Sequence, residues 1–219
     1  MKLKSYMRLA ACVGLVLAAS VATPAHGAAL APGSVLIPGA AEPDPVGATL
    51  LFSTGPVPFV VPGSFSGTLT SSVYSPDPSN PLGGVTLTYL IANDAPSSNS
   101  IGRLTVTEFL GWATDGSYQV PTAGVAPASI DRNVSGDVVG FNFVPTPVDP
   151  LTGFLVPGAS SALLVIQTDA PSYGPAIGNV IDGGVASVAA LGPAVPEPST
   201  IALVLGGLAT LGVYRLRRR

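Results

Sequence analysis

The stretch Val85–Ile91 reads VTLTYLI, and its apolar residues recur at every second position. In an extended chain successive side chains point to opposite faces, so Val85, Leu87, Tyr89 and Ile91 share one face and the two threonines the other. This pattern predicts a β-strand with one face in a hydrophobic core.

Five further segments have strand-like composition and are bounded by Pro, Gly, Asn or Asp, which are typical of turns. They are Ala48–Ser53, Phe65–Tyr74, Arg103–Leu110, Val138–Val144 and Ala162–Thr168. The last is continuously apolar, which indicates a central strand covered on both faces. No segment between residues 28 and 194 shows a convincing helical stripe. The spacing of these short strands predicts an all-β fold, a single β-sandwich-like domain or a barrel-like relative.

The predicted exported domain, residues 47–191, has a flanking segment on each side. Residues 28–46 contain four prolines and are interpreted as an extended Pro-rich leader, to which we assign no secondary structure. Residues 192–200 are predicted to be a linker that contains the motif described below. The 167 residues from Ala28 to Ala194 are enough to bury a sizeable single core without disulfides.

Charge is unevenly distributed along the 219 residues, whose net charge is −3. Seven of the nine basic residues lie near the two ends, so residues 28–194 hold only Arg103 and Arg132 against eleven acidic residues. Nucleic-acid binding requires a basic surface that neutralises phosphates. A net charge of −9 over this region therefore excludes nucleic acid as a partner.

Most catalytic side chains are missing from the middle of the chain. Cys12 and His26 are the only residues of their kinds, and residues 28–194 also lack lysine. Only carboxylates remain, and these serve glycoside hydrolases as a paired acid and base. Eleven scattered carboxylates do not define such a pair. We therefore predict that the protein is not an enzyme and needs no cofactor, with a carboxylate-based glycoside hydrolase as the alternative.

Residues 1–27 have the pattern of a cleavable secretory signal peptide. After a basic start, the apolar run Leu9–Val21 spans only about 20 Å as a helix, less than the roughly 30 Å hydrocarbon core of a bilayer. Ala25 and Gly27 suit the small-residue subsites of signal peptidase. Cleavage is predicted between Gly27 and Ala28.

The last 25 residues contain three parts: VPEPS at residues 195–199, an uncharged apolar span at Ile201–Tyr214, and a basic end. A helix from Pro198 to Arg217 is about 30 Å long, enough to cross the hydrocarbon core. By the positive-inside rule the basic residues determine the topology, with the tail 215–219 in the cytoplasm. These residues are Arg215, Arg217, Arg218 and Arg219. We predict a transmembrane segment at residues 201–214 and place the middle of the chain outside the cytoplasmic membrane.

Val195, Pro196, Glu197, Pro198 and Ser199, followed by a Gly-interrupted apolar span and terminal arginines, resemble the PEP-CTERM sorting signal. The resemblance implies a Gram-negative bacterium, export, retention in the cytoplasmic membrane, recognition by an exosortase, and transfer to the cell surface or extracellular matrix. It also implies that these five residues are a substrate site for a processing enzyme. The alternative is a plain anchor, as in a membrane-anchored periplasmic binding protein.

Trp112, Asp115 and Tyr118 are candidate ligand-binding residues, because a Trp ring can stack on a sugar whose hydroxyls bind to Asp and Tyr. The pattern favours the alternative, a core Trp beside a turn.

A calcium loop is the second local candidate. Asp131, Asn133, Ser135 and Asp137 place oxygen ligands on alternate residues, with a Gly at the sixth place. The twelfth place is Asn142 instead of a bidentate Glu, so we expect a hairpin turn here and no metal.

An acidic β scaffold with exposed loops suits a non-catalytic structural, adhesive or polysaccharide-interacting role. The predicted partners are signal peptidase and exosortase as processing enzymes, the cytoplasmic membrane, and exopolysaccharide as a candidate ligand.

Overall fold

The computed structural model describes residues 28–147 and 153–194, and these two ranges form an all-β fold without a helix. Thirteen strands occur in the described ranges. They are β1 (Ala28–Ala29), β2 (Val35–Leu36), β3 (Ala41–Glu42), β4 (Leu50–Val61), β5 (Phe65–Tyr74), β6 (Thr86–Asn93), β7 (Arg103–Val106), β8 (Thr114–Gln119), β9 (Ser129–Arg132), β10 (Val139–Asn142), β11 (Leu164–Thr168), β12 (Tyr173–Ile181) and β13 (Val185–Pro193).

The strands form two sheets. The first sheet has the order β1-β8-β11-β6-β5-β4, with β3 added in parallel to β8. The second sheet has the order β13-β12-β7-β10-β9-β2. All other strand pairs in both sheets are antiparallel. Strands distant in sequence therefore lie side by side, as β8 and β6 do on the two sides of β11.

Side chains from both sheets form one core. Tyr89 of β6 is fully buried, and its hydroxyl donates a 2.7 Å hydrogen bond to the carbonyl of Leu191 in β13, which links the two sheets. Burial raises the pKa of Tyr89 far above its ordinary value, so the hydroxyl stays protonated and remains a donor. Along β5 buried and half-buried residues alternate strictly, as expected for a strand with one face in the core.

Several predicted strands agree with the structure. β5 has the predicted bounds Phe65–Tyr74, and β6 overlaps the Val85–Ile91 stretch except for its first residue. β11 is buried along its whole length and lies between β8 and β6, as the continuous apolar run indicated. β7 ends earlier than predicted, at Val106, and the chain turns at Glu108, whose φ of 79° is incompatible with a strand.

The leader differs from its prediction as an extended segment without secondary structure. Three two-residue strands within residues 28–46 pair with the domain: β1 and β3 with β8, and β2 with β9. Leu30 is fully buried, and its N–H donates to the Thr114 carbonyl at 2.8 Å. Prolines exclude a long strand but allow short pairing between them. The folded unit therefore includes residues from Ala28 onward, which lie before the predicted boundary at residue 47.

The boundary at the other end also differs. Gly192 and Pro193, predicted to begin the linker, belong to β13 and pair with Gly174 and Tyr173. The N–H of Ala194 then donates to the Ser172 carbonyl at 3.0 Å. The sheet therefore ends at Pro193, and backbone hydrogen bonding continues to Ala194, the last residue before the VPEPS motif.

Candidate functional site

Arg132, at the end of β9, forms a clamp at one end of the second sheet. Its side chain is buried, and its guanidinium donates to four backbone carbonyls. Nε donates to Gly136 at 2.9 Å and Nη1 to Leu30 at 3.1 Å. Nη2 donates to Phe109 at 2.6 Å and to Trp112 at 2.9 Å. A single side chain thus connects the leader, the β7–β8 loop and the β9–β10 turn.

The charge of Arg132 is maintained by nearby carboxylates. Burial lowers the pKa of its guanidinium, and the negative charges of Asp137 and Asp169 act in the opposite direction. Asp169 also accepts the backbone N–H of Ala113 at 2.8 Å, which holds the loop that carries Trp112. The sequence showed Arg132 only as one of two arginines in the domain; nothing in the local pattern indicated that it is buried.

A shallow groove of about 390 Å³ lies over this clamp. It is lined mainly by small and apolar residues, together with Arg132: Ala29, Leu30, Ala31, Pro32, Gly111, Trp112, Ala113, Thr114, Ser135 and Gly136. Gly136 has a φ of 80°, and a Cβ there would lie 2.9 Å from Cγ of Pro32. Only glycine fits this position, so the β9–β10 turn and the leader can approach each other and form the groove wall.

Trp112 is half-buried and packs partly against the core. Its indole Nε1–H is buried and has no hydrogen-bond partner among the described residues. Buried indole N–H groups usually have an acceptor. Trp112 therefore packs partly against the core, as the interpretation favoured from the sequence expected, and it also forms part of the groove wall.

The structure does not bring Trp112, Asp115 and Tyr118 together in one site. Asp115 and Tyr118 are three positions apart in β8, so their side chains point to opposite faces. Tyr118 packs partly against the core between the sheets, whereas Asp115 is buried on the other face of the first sheet. The pattern of residues in sequence suggested proximity, but the period of the strand separates them.

The segment from Asp131 to Asp137 forms the predicted hairpin between β9 and β10. Asn133 Oδ1 accepts the N–H groups of Gly136 and Val138 at 3.0 and 3.1 Å. Asp137 Oδ1 accepts from Asn133 Nδ2 at 2.5 Å and from Ser135 Oγ at 2.6 Å. These hydrogen bonds lower the pKa of Asp137. The oxygens that were candidate calcium ligands close the turn.

Asp131, the first of the four candidate calcium ligands, does not take part in the turn. Asp131 forms a bidentate pair with Arg103 at 2.6 and 2.7 Å and accepts from Asn142 Nδ2 at 2.7 Å. It therefore lies on the strand, away from the turn oxygens.

The sorting signal lies outside the described residues. This applies to Val195–Ser199, to the span 201–214, to Arg215, Arg217, Arg218 and Arg219, and to the signal peptide up to Gly27. Ala28, the predicted first residue after cleavage, is the first residue of β1. Within residues 28–147 and 153–194 no helix is long and apolar enough to cross a membrane.

Comparison with protein families finds the PEP-CTERM protein-sorting motif at residues 194–219. This match confirms the resemblance drawn from the VPEPS motif, the apolar span and the terminal arginines. It supports an exported surface protein that is targeted to an exosortase. No curated protein and no solved structure matches the chain.

Proposed function

We propose that this protein is a secreted substrate of an exosortase and that its β domain acts outside the cytoplasmic membrane as a non-catalytic module. The carrying observation is the sorting motif at residues 194–219. The signal-peptide pattern of residues 1–27 supports the same route. Signal peptidase removes the N-terminal segment, the apolar span holds the protein in the cytoplasmic membrane of a Gram-negative cell, and the exosortase then acts on the Pro196–Ser199 segment.

The position of the motif is suitable for such processing. Pro196 and Pro198 lack backbone N–H groups and disfavour helical conformations in the residues before them. The folded sheet ends with the hydrogen bond of Ala194 to Ser172. The motif thus begins immediately after the domain and before the apolar span, where an enzyme in the membrane can bind an extended segment without unfolding the domain.

The experiment compares exported wild-type protein with Glu197→Ala, and with a variant in which both prolines are changed to alanine, in a host that has an exosortase. We expect both variants to be exported but to remain at full length in the cytoplasmic membrane. Asp182→Asn, which removes one negative charge from the β12–β13 turn, is the matched control and should be processed like wild type. Release of the same shortened product from all strains would show that the motif is accidental.

For the domain itself we propose a structural, adhesive or polysaccharide-interacting role in the extracellular matrix. The groove supports the binding component, because Trp112 forms part of its wall and an indole ring can stack on a sugar ring of a polysaccharide. The lining residues of this groove include no carboxylate. A glycoside hydrolase requires two carboxylates in a cleft, so this groove favours binding over hydrolysis.

Binding at the groove can be tested with exopolysaccharide prepared from the host. Quenching or shift of the Trp112 fluorescence should saturate with polysaccharide, since this is the only Trp in the chain. Trp112→Ala, which removes the ring from the groove wall, should bind the polysaccharide at least tenfold more weakly in a sedimentation assay, while Tyr118→Phe should bind like wild type. Equal binding by both variants would contradict a role of the groove.

A further inference from the structure

A buried polar cluster lies on the face of the first sheet that points away from the core. Asp115 of β8, Gln167 of β11 and Thr86 of β6 are directly opposite one another across three neighbouring strands. All three are at least 95% buried. Directly opposite residues in an antiparallel pair lie on the same face with Cβ atoms about 4.5–5.5 Å apart. The three side chains therefore form one row.

Two segments cover this row with further carboxylates. Asp44, 3% exposed, follows β3, and its Oδ2 accepts from Gln167 Nε2 at 3.2 Å. Asp77 precedes β6, and its Oδ2 accepts from Thr86 Oγ1 at 2.6 Å. Gln167 thus contacts one carboxylate, Asp44, and lies opposite a second, Asp115, in a region removed from solvent.

Gln167 provides a second and independent observation. Gln167 is 1% exposed, and its Nε2 donates a hydrogen bond to Asp44. Its Oε1 is buried and has no hydrogen-bond partner among the described residues. A carbonyl oxygen can only accept, so the missing partner is a donor hydrogen or a cation. A buried amide oxygen without a partner is rare in a native core, because it has lost its hydrogen bonds to water without replacing them.

We infer that Asp44, Asp115 and Gln167 Oε1 form a binding site for a calcium ion between the leader and the outer face of the first sheet. Calcium prefers oxygen ligands, including carboxylates, side-chain amides and backbone carbonyls, and takes six to eight of them. A carboxylate that accepts one hydrogen bond still has lone pairs for a metal. The ion would also offset the cost of burying several carboxylates together.

The inferred site has fewer carboxylate ligands than a high-affinity calcium site. The described ranges contain no group of three or more His, Cys, Asp or Glu side chains that could hold a metal ion. The site we infer has two carboxylates and one neutral amide, completed by backbone carbonyls and water. Low ligand charge of this kind is associated with weak binding, and extracellular calcium modules have Kd values of about 10⁻⁴–10⁻³ M. Binding here does not depend on the sorting signal.

The test uses the exported protein, stripped with EDTA and titrated with CaCl2 by isothermal calorimetry and thermal unfolding. We expect one ion per chain and a rise in Tm of about 5–10 °C at a concentration a hundred times Kd. An equal concentration of MgCl2 should raise Tm less, because magnesium prefers to retain its water ligands.

Variants then locate the ion. Asp115→Asn and Gln167→Met should each weaken calcium binding at least tenfold. Asp77→Asn is the matched control: the Asp77 oxygens already accept from Thr86 and Ser79, so this variant should change calcium affinity less than threefold. If Gln167→Met fails to fold, Asp115→Asn, which conserves shape, decides the question.

Two results would overturn the inference. The first is the absence of both heat and Tm shift with 10 mM CaCl2. The second is unchanged affinity in Asp115→Asn, which would place the ion elsewhere.

Discussion

Replacing Arg132 with Met should destabilise the domain strongly, because one side chain supplies donors to four carbonyls in three separate segments. Met keeps most of the apolar stem and removes the guanidinium. The Phe109 carbonyl still accepts from the Trp112 N–H at 3.2 Å and the Trp112 carbonyl from Thr114 Oγ1 at 3.3 Å. The carbonyls of Leu30 and Gly136 lose the donor that Arg132 supplies. A buried acceptor left without its donor costs about 1–3 kcal/mol, so these two give an upper bound of about 2–6 kcal/mol.

The net loss should be smaller than this bound. The adjacent groove admits water to part of the vacated space, and the variant no longer has to bury a charge. A hydrogen bond that involves a charged group contributes about 1.5–3 kcal/mol, so loss of the bonds to Leu30 and Gly136 should lower the free energy of unfolding by about 3–5 kcal/mol. For a domain of this size that corresponds to a decrease in Tm of about 6–20 °C.

The assay is urea unfolding of the Ala28–Ala194 chain, followed by fluorescence and circular dichroism. Arg103→Met is the matched control, because Arg103 is the other arginine of this region and its pair with Asp131 is partly exposed. That variant should lose no more than about 1 kcal/mol. Arg132→Lys should lose at least half as much as Arg132→Met, because an ammonium group cannot reproduce the fork of the guanidinium. A loss in Arg132→Met no larger than in Arg103→Met would refute the clamp.

Three further predictions concern the ends of the domain and its core. N-terminal sequencing of the exported protein should begin at Ala28, and a mature chain that retained Met7 or Cys12 would reject the signal peptide. A chain from Ala28 to Ala194 should be soluble, monomeric or weakly associated, and rich in β structure. A chain that starts at Gly47 should be at least several kcal/mol less stable, because it lacks β1–β3 and the Leu30 carbonyl that binds Arg132. Equal stability of the two chains would show that the leader is dispensable. Tyr89→Phe should cost about 1 kcal/mol at neutral pH through loss of the bond to Leu191. Above pH 10 the stability of the wild type should fall more steeply with pH than that of the variant, by up to about 1.4 kcal/mol per pH unit. The reason is that at this pH Tyr89 ionises only in the unfolded state. Parallel pH profiles of the two proteins would show that Tyr89 is accessible in the folded protein.

Local patterns predicted the strands whose two faces differ or whose whole length is apolar. β5, β6 and β11 belong to this group, because burial on the core face requires apolar residues at fixed positions. β8 was not predicted: its sequence TDGSYQ has low strand propensity, and its outward face is covered by polar groups rather than by solvent or apolar side chains. β12 and β13 were also missed, since glycine, alanine and proline weaken their pattern.

The candidate sites also divide into those that local sequence could predict and those that it could not. The hairpin at Asn133–Asp137 could be predicted because its hydrogen bonds join residues at most five apart. The separation of Asp115 from Tyr118 follows from strand period, but only once β8 is known to be a strand. The clamp of Arg132 and the cluster around Gln167 unite residues as far apart as 102 and 123 positions, and no local pattern reports such contacts.

The sequence by itself determined the sorting motif, because a processing enzyme reads contiguous residues and the Pro-Glu-Pro-Ser segment, the apolar span and the arginines are adjacent in the chain. It also determined the all-β class, since the side-chain period of an extended chain is a local property. Only the tertiary structure decided that the leader belongs to the domain and that Arg132 is a buried clamp. It also decided that Asp44 and Asp115 are both neighbours of Gln167. Burial and long-range pairing set these features, and both depend on which distant strands become neighbours.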